Sequence, residues 1–334
     1  MRKKFNTGLA IGKFYPFHNG HRYLIEIAQK NTRKLTVIVC QTDRYKIPAE
    51  IRAGWIRDTF PGLDIRILNH SASMDSDSPD ISEKWAKLTL KFLGFVPDAV
   101  FSSELYGEPY ATFMGSKHIL VDINRKKIPI SATRIRLDLS QYFDYLPGTV
   151  QKYFIRKIVV LGAESTGTTT LARDLAAYFQ TVWVPEYGRL YYEGRMFSRD
   201  ASAWSTDEFV HIAQAQNKLE ERLLTKANKY LICDTDAFAA SLWHERYMGF
   251  MSDRVEDTIQ ESVPSLYILT DIDIPFVQDG TRDGENIRAH MHHRFLEELH
   301  TRKINFIVAG GDREKRLSYS VKRIQETLTF LSRE

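Results

Sequence analysis

The sequence predicts an α/β protein made of two parallel sheets, each doubly wound with helices on its faces, and three observations carry that reading. Short β-rich runs alternate with helix-period stretches from Thr7 onward. The alternation restarts after a Pro-Gly turn at Pro147-Gly148, with a basic stretch from Lys152 to Lys157 behind it. A length of 334 residues exceeds one typical domain and suffices for two cores.

In chain order, the first half reads as strand TGLAIG from Thr7, helix HRYLIEIAQKN, strands KLTVIVC and DIRIL, helix EKWAKLTLKFL, and strands DAVFSS and HILVDI. The helix through Trp85, Leu88 and Phe92 carries apolar residues at spacings of three and four, which makes it a covering helix, and Gly94 is placed to stop it. The second half opens on strand KIVVLG. Helix LARDLAAYF, strand TVWVP, the long helix DEFVHIAQAQNKLEERLL, strand KYLICD, a helix through Trp243 to Gly249, and strands SLYILTD and INFIVAG follow. The boundary is expected near residue 150, giving domains 1–150 and 151–334. The motifs of the halves differ and no repeat of 20 to 50 residues is apparent, so these are two folds and not a duplication.

Composition narrows the function classes. With 43% hydrophobic and 26% charged residues and no biased tract, the chain is globular and ordered. Lys+Arg number 46 against 42 for Asp+Glu, which leaves no global field for holding a nucleic-acid polymer; small anionic ligands fit better. Cys40 and Cys233 each end an apolar run, as small buried hydrophobes do, so no disulfide framework is expected. The basic N-terminus lacks the apolar stretch and cleavage site of a signal peptide, and no run of about 18 apolar residues exists, so a membrane span is not expected and the cytoplasm is. No subunit contact is legible, and a homo-oligomer stays open.

The chemistry is concentrated at two strand-to-helix turns. The first runs from Gly12 through Lys13, Phe14 and His18 to Gly20 and His21. Glycines at 12 and 20 allow close backbone approach, the helix N-terminus offers free N–H groups and positive dipole, and two imidazoles add donors: together, a phosphate site. A second cradle follows at Ile130 to Arg136, where Ser131 and Thr133 supply hydroxyls and Arg136 a permanently charged fork at a helix start. The third cluster, Gly162 to Thr169, follows strand KIVVL and opens a helix, as a phosphate-binding P-loop does, except that Thr168 stands where that motif requires lysine. The backbone nest survives this change and the β/γ-phosphate cation does not. Strand YLIC then ends in Asp234, where a magnesium-holding carboxylate belongs.

His18-Asn19-Gly20-His21 resembles the H-x-G-H signature of the nucleotidyltransferase superfamily, and Ile130 to Arg136 resembles its second motif, I-S-x-T-x-x-R. The resemblance implies a Rossmann-like adenylyltransferase sheet in which an acceptor's own phosphate attacks the α-phosphorus of ATP. His18 and His21 would stabilise the transition state and Lys13 would contact phosphate. Ser131, Thr133 and Arg136 would hold the leaving β- and γ-phosphates, with Gly12, Phe14 and Gly20 also against ATP. The segments Arg52 to Ile56 and Ser102 to Gly107 resemble the bifunctional NadR family, a nicotinamide-mononucleotide adenylyltransferase joined to a ribosylnicotinamide kinase. There Arg52, Trp55 and Tyr106 would meet the acceptor, Trp55 being either a stacking face for a cationic ring or simply core.

In the second half the same family resemblance extends over Val184 to Arg189, Trp243 to Gly249 and Thr270 to Arg282. It implies a P-loop kinase sheet. ATP would be held by Gly162, Glu164, Ser165, Thr166, Gly167, Thr168, Thr169 and Thr170, with Arg282 and Arg288 of a lid segment (Asp279 to Asp283 and beyond) aimed at phosphates. Thr169 and Asp234 would hold Mg2+. Glu186, which either takes the substrate hydroxyl proton or binds ribose, would form the riboside site with Tyr187 and Asp236. The resemblance runs from Thr7 to about Gly311, with departures at Thr168 and at Phe276, where tryptophan is expected. Implied substrates are ATP, nicotinamide mononucleotide and nicotinamide riboside, with NAD the product. The first strand begins close to Met1, so the DNA-binding head of some relatives is not expected here. Two alternatives remain: a P-loop domain that senses nucleotide without catalysis, and an adenylyltransferase for another phosphate such as phosphopantetheine.

Overall fold

The structure is a computed structural model that describes residues 3–75, 79–197, 203–259, 264–280, 282 and 284–327. The chain divides after Tyr153 into two compact units.

The first unit runs β1 (Phe5–Gly12), α1 (Asn19–Asn31), β2 (Thr32–Gln41), α2 (Ala49–Thr59), β3 (Asp64–Asn69), α3 (Pro79–Leu93), β4 (Ala99–Ser102), α4 (Gly107–Met114), β5 (Lys117–Leu120), α5 (Ala132–Leu137) and α6 (Gly148–Phe154). Its five strands are parallel in the order β3-β2-β1-β4-β5. Strand β1 is central and wholly apolar inside, Leu9 and Ala10 being fully buried, as a strand covered on both faces must be. Leu9, Ile38 and Val100 pack under Ala86 and Leu93 of α3, the covering helix predicted from its spacing. The chain order reverses between β1 and β4, so the crevice outside their carboxyl ends is where a ligand of this fold sits. Strand β5 is shorter than HILVDI suggested, because Asp122 turns the chain at φ 48° and its carboxylate accepts the Lys127 and Ile128 amides.

The second unit runs β6 (Arg156–Leu161), α7 (Thr168–Tyr178), β7 (Trp183–Val184), α8 (Tyr187–Arg195), α9 (Thr206–Leu224), β8 (Tyr230–Asp234), α10 (Ala237–Met248), α11 (Asp253–Glu256), β9 (Leu266–Thr270), α12 (Glu285–Thr301), β10 (Phe306–Ala309) and α13 (Arg313–Gln325). The strand order is β10-β9-β6-β8-β7, again parallel throughout, with β6 at the reversal. Helix α9 starts on a capping box between Ser205 and Glu208.

Beneath this sheet lies an ion cluster that the sequence does not announce. Lys157 Nζ sits 2.5 Å from Glu220 and 3.8 Å from Asp236, both carboxylates being almost fully buried. Burial pulls the ammonium down, but Asp236 and Glu220 outweigh it and hold Lys157 above the ordinary lysine value. Lys157→Met leaves two buried carboxylates without their cation, and the expected cost is about 3–5 kcal/mol. Urea denaturation checks this as a lowered midpoint; an unchanged midpoint contradicts it.

Candidate functional site

The first site is built on the turn after β1. Phe14 takes φ 47° and Tyr15-Pro16 is cis, which carries the chain from strand to helix in a few residues. Helix α1 is then capped by His18, an unusual choice of N-cap: its Nδ1 accepts from the amides of Gly20 (3.1 Å) and His21 (3.4 Å). An imidazole whose Nδ1 accepts carries its proton on Nε2, so the ring is a neutral donor. His21 stacks on it at 3.7 Å. Burial, the neighbouring His21 and the cations Arg125 and Arg136 hold His18 well below the usual histidine range; burial and then Arg125 bring His21 down to about 3. Both rings are therefore uncharged donors at neutral pH, and His21 Nδ1 is buried with no partner.

Gly20 is required here, since a Cβ would lie 2.9 Å from the His18 ring. Gly12 is not required in that way: a Cβ there would meet only the Phe14 ring, at 3.4 Å. Phe14 itself is buried edge-on to His21 at 5.0 Å and supports the imidazole. Lys13 is exposed, with its Nζ 5.7 Å from the Tyr45 ring.

The second cradle reaches the first. Ser131 caps α5 by accepting the Arg134 amide, and Arg136 donates to Thr133 Oγ1 (3.2 Å) and, across 121 residues, to the Tyr15 carbonyl (2.7 Å). Ile130 lies 3.7 Å from where a Gly20 Cβ would be. The two clusters thus meet at the carboxyl edge of β1. One cation was missed by the sequence reading: Arg125, whose charge acts on both histidines and which pairs with Glu104 at 2.8 Å. Its position six residues before Ser131, in a basic run, was the available signal.

Two expected acceptor residues are placed differently. Arg52 is fully buried, and its guanidinium donates to the carbonyls of Ile47, Lys13 and Cys40 and to Gln41 Oε1. These bonds tie the Lys13 turn to the end of β2 and to Ile47, so Arg52 is a buried support of the site. Trp55 is 5% exposed with its ring edge on Tyr153 at 5.3 Å, which is the core alternative. Tyr106 is half exposed just before α4. The loop that carries it is anchored by Ser102 and His118, whose Oγ and Nε2 lie 2.8 Å apart, with Glu108 2.7 Å from the other ring nitrogen. A Cβ on Gly107 would lie 2.0 Å from that hydroxyl, so no substrate fits there and the triad-like set is a clamp.

The second site follows β6. Gly162 is sterically obligatory, a Cβ falling 2.2 Å from Thr270 Oγ1, and the loop turns through Ser165 (φ 58°) and Gly167 (φ 81°). Thr166 is locked from inside by bonds to the Ala163 carbonyl and Thr270, both 2.6 Å. Thr168, where lysine is missing, opens α7, and its hydroxyl and that of Thr169 act to lower the pKa of the Asp234 carboxylate; Thr170 is exposed. Asp234 ends β8 nearly buried, and burial pushes it up to about 6 against those two hydroxyls. Burial, followed by the Asp234 charge, pushes Glu186 up to about 7, with Glu164 adding in the same direction and Arg189 opposing.

Arg282 is tied back within its own segment, to the Val277 carbonyl and to Asp279, which Arg189 of α8 also holds. Thr281 and Asp283 of that motif lie outside the described residues. Arg288 is buried on α12 and donates to the Ser165 carbonyl at 3.2 Å. Tyr187 opens α8 and shares a hydrogen bond with His211 at 3.1 Å. Asp236 corrects the sequence reading: it is 4% exposed, caps α10 through the Ala239 amide and accepts the Tyr267 hydroxyl at 2.7 Å, so both oxygens face the core and it is not a riboside ligand.

Asp234 Oδ1 is buried with no partner, and the Thr169 hydroxyl lies against the same carboxylate; hard oxygens of this kind suit a magnesium ion that keeps substrate phosphates and water as its other ligands. Among the described residues no cluster of three His, Cys, Asp or Glu forms a self-sufficient metal site.

Comparison with known proteins covers both units. Residues 157–316 match the model of the AAA domain and residues 10–75 that of the citrate lyase ligase C-terminal domain. The trifunctional NAD biosynthesis/regulator protein NadR of Escherichia coli (strain K12) and that of Salmonella typhimurium (strain LT2) are each 29% identical over 349 aligned residues, covering 98% of this chain and 84% of theirs. Among solved structures, a NadR protein in complex with NAD and AMP-PNP has a TM-score of 0.74 at 20% identity, over 99% of this chain and 98% of that one. A NadR protein in complex with NR gives 0.73 at 21% identity, over 99% of both chains. The fold is shared along the whole chain.

Proposed function

As a member of the NadR family, matched along 98% of its length, this chain is, we propose, a bifunctional enzyme of NAD salvage. The first domain, 1–150, couples ATP and nicotinamide mononucleotide to NAD and pyrophosphate; the second, 151–334, phosphorylates nicotinamide riboside to that mononucleotide. The observation that carries the first activity is the bond from Arg136 to the Tyr15 carbonyl, which seats the second cradle against the two imidazoles.

In adenylyl transfer a phosphate oxygen of the mononucleotide attacks the α-phosphorus, and the bond to the β-phosphate oxygen breaks. His18 and His21, neutral and donating, stabilise charge on the α-phosphate through hydrogen bonds, with no change in their own protonation. Ser131, Thr133 and Arg136 receive the pyrophosphate, and Lys13 and Arg125 add positive charge at the rim. No side-chain nucleophile is needed, so positioning and charge neutralisation supply the rate.

In the kinase domain the riboside's primary hydroxyl attacks the γ-phosphorus, its proton passes to Glu186, and ADP leaves. The nest from Gly162 to Thr169, Glu164 included, holds the phosphates, with Arg282 and Arg288 beside it. Tyr187 offers the nicotinamide ring a face. Asp234 and Thr169 would hold Mg2+, which when bound would neutralise charge on the transferring phosphate. ATP as a substrate and two buried free thiols, Cys40 and Cys233, suit the cytoplasm; among the described residues no helix is long and apolar enough to cross a membrane.

Incubating the protein with ATP, Mg2+ and nicotinamide riboside, and following the mononucleotide and NAD separately by chromatography, is expected to give both in succession. ATP with the mononucleotide alone should release pyrophosphate, and phosphopantetheine in its place should not. Lack of NAD from that pair removes the adenylyltransferase. Because Thr168 replaces the loop lysine, the competing reading of the second domain is a nucleotide sensor. That reading prevails if the domain binds ATP and makes no mononucleotide.

A further inference from the structure

The kinase loop lacks its lysine, yet it is held by a cation from far along the chain. Arg316, on the first turns of α13, is 4% exposed. Its guanidinium donates to three backbone carbonyls: Thr166 in the phosphate loop, Asp271 after β9 and Gly311 after β10, the last two at 3.1 and 2.9 Å. Its remaining contact is the Asp273 carboxylate. These are the carboxyl-end crests of three neighbouring strands, β6, β9 and β10, so one side chain ties the phosphate loop to the two crests beside it.

A trans peptide is planar, with its C=O and N–H pointing in opposite directions. Drawing the Thr166 carbonyl towards Arg316 therefore turns the Gly167 amide the other way. Gly167 sits at φ 81°, and Arg316 Nη1 lies 3.7 Å from where its Cβ would be, so the fork approaches the turn from behind. Arg288 does the same one peptide earlier through the Ser165 carbonyl, which turns the Thr166 amide. In a loop with lysine, a cation in front of the nest helps to hold its amides towards the phosphates. Here Thr168 stands in the lysine's place, and no residue from Gly162 to Thr169 is cationic.

We infer that Arg316 is the positioning residue that fixes the lysine-less phosphate loop in its anion-binding conformation, acting through the Thr166–Gly167 peptide. The inference rests on the second domain binding ATP at this loop. Asp273 largely neutralises Arg316, so its contribution is the geometry of a planar fork and not net charge. Lysine cannot reproduce it, having one donor centre for crests that lie on three sides.

The test compares wild type, Arg316→Lys and Arg316→Met in three readouts: equilibrium binding of AMP-PNP with the adenylyltransferase site blocked by excess NAD, KM and kcat of riboside phosphorylation, and KM for ATP in NAD formation. Loss of a buried, charge-assisted hydrogen-bond set predicts weaker AMP-PNP binding and a higher kinase KM for ATP, by about ten- to a hundredfold, in both variants. The KM for riboside and the KM for ATP in NAD formation should stay as in wild type. Arg316→Lys fills the same space, so it carries the test if Arg316→Met does not fold. Wild-type affinity in Arg316→Lys shows that charge alone suffices and overturns the inference. So does a fall in thermal stability with unchanged AMP-PNP affinity, which marks a merely structural arginine. Wild type that binds AMP-PNP and makes no mononucleotide sinks the kinase reading, while the binding comparison still decides the role of Arg316.

Discussion

His18→Ala is expected to lower kcat/KM for NAD formation by about a thousandfold, the upper end of what one preorganised oxyanion donor supplies, while riboside phosphorylation by the same chain is unchanged. Two effects overlap in that variant, because His18 also caps α1 through Nδ1, and losing a cap costs about 1 kcal/mol. His18→Asn separates them. Its side-chain oxygen can accept the Gly20 and His21 amides and restore the cap, but it places no donor where Nε2 stood. Stability should return and activity should not; an Asn variant within threefold of wild type would falsify a catalytic His18. The depressed pKa values add a second signature. Both imidazoles stay neutral well below the ordinary 6.5, so the rate of NAD formation should pass through that pH without an inflection from either ring.

Glu186→Gln is the counterpart for the kinase domain, with an expected loss of about 10²–10⁴ in kcat, the range of a positioned general base. The pH dependence has a definite sign. Burial, then Asp234, raise Glu186 above the ordinary glutamate value, and a base works only when ionised, so wild-type kcat should rise with pH as Glu186 ionises and level off above it. Glutamine has no proton to lose, and the variant's residual rate should lack that ascending limb. If Glu186 instead binds the ribose hydroxyls, the substitution raises KM for riboside, leaves kcat nearly intact and keeps the pH profile.

Much of this was open to reading because the decisive groups are close in sequence. A strand, a glycine turn and a helix start are consecutive, so His18 with His21, Ser131 with Arg136, and Gly162 to Thr169 carry their geometry with them. The same holds for Asp234, which ends β8, and for Glu186, two residues beyond β7, which reach the carboxyl edge of a parallel sheet by topology alone. Misreadings arose where one residue type serves two environments. Arg52 and Asp236 were taken to face ligand, yet a buried charge must be partnered, and each found partners inside: the Ile47, Lys13 and Cys40 carbonyls with Gln41 for Arg52, the Ala239 amide and Tyr267 for Asp236.

By itself the sequence determined the two sheets and the local cradles, since hydrophobic period and turn chemistry act over a few residues. Only the tertiary structure decided which cradles meet and what holds them. Arg136 meets Tyr15 across 121 residues and Arg316 meets Thr166 across 150. Such contacts are set by which strands lie side by side and how deeply a side chain is enclosed, and no local pattern encodes either. A long cation on a helix looks like solvated surface until packing closes around it and turns its fork onto backbone carbonyls.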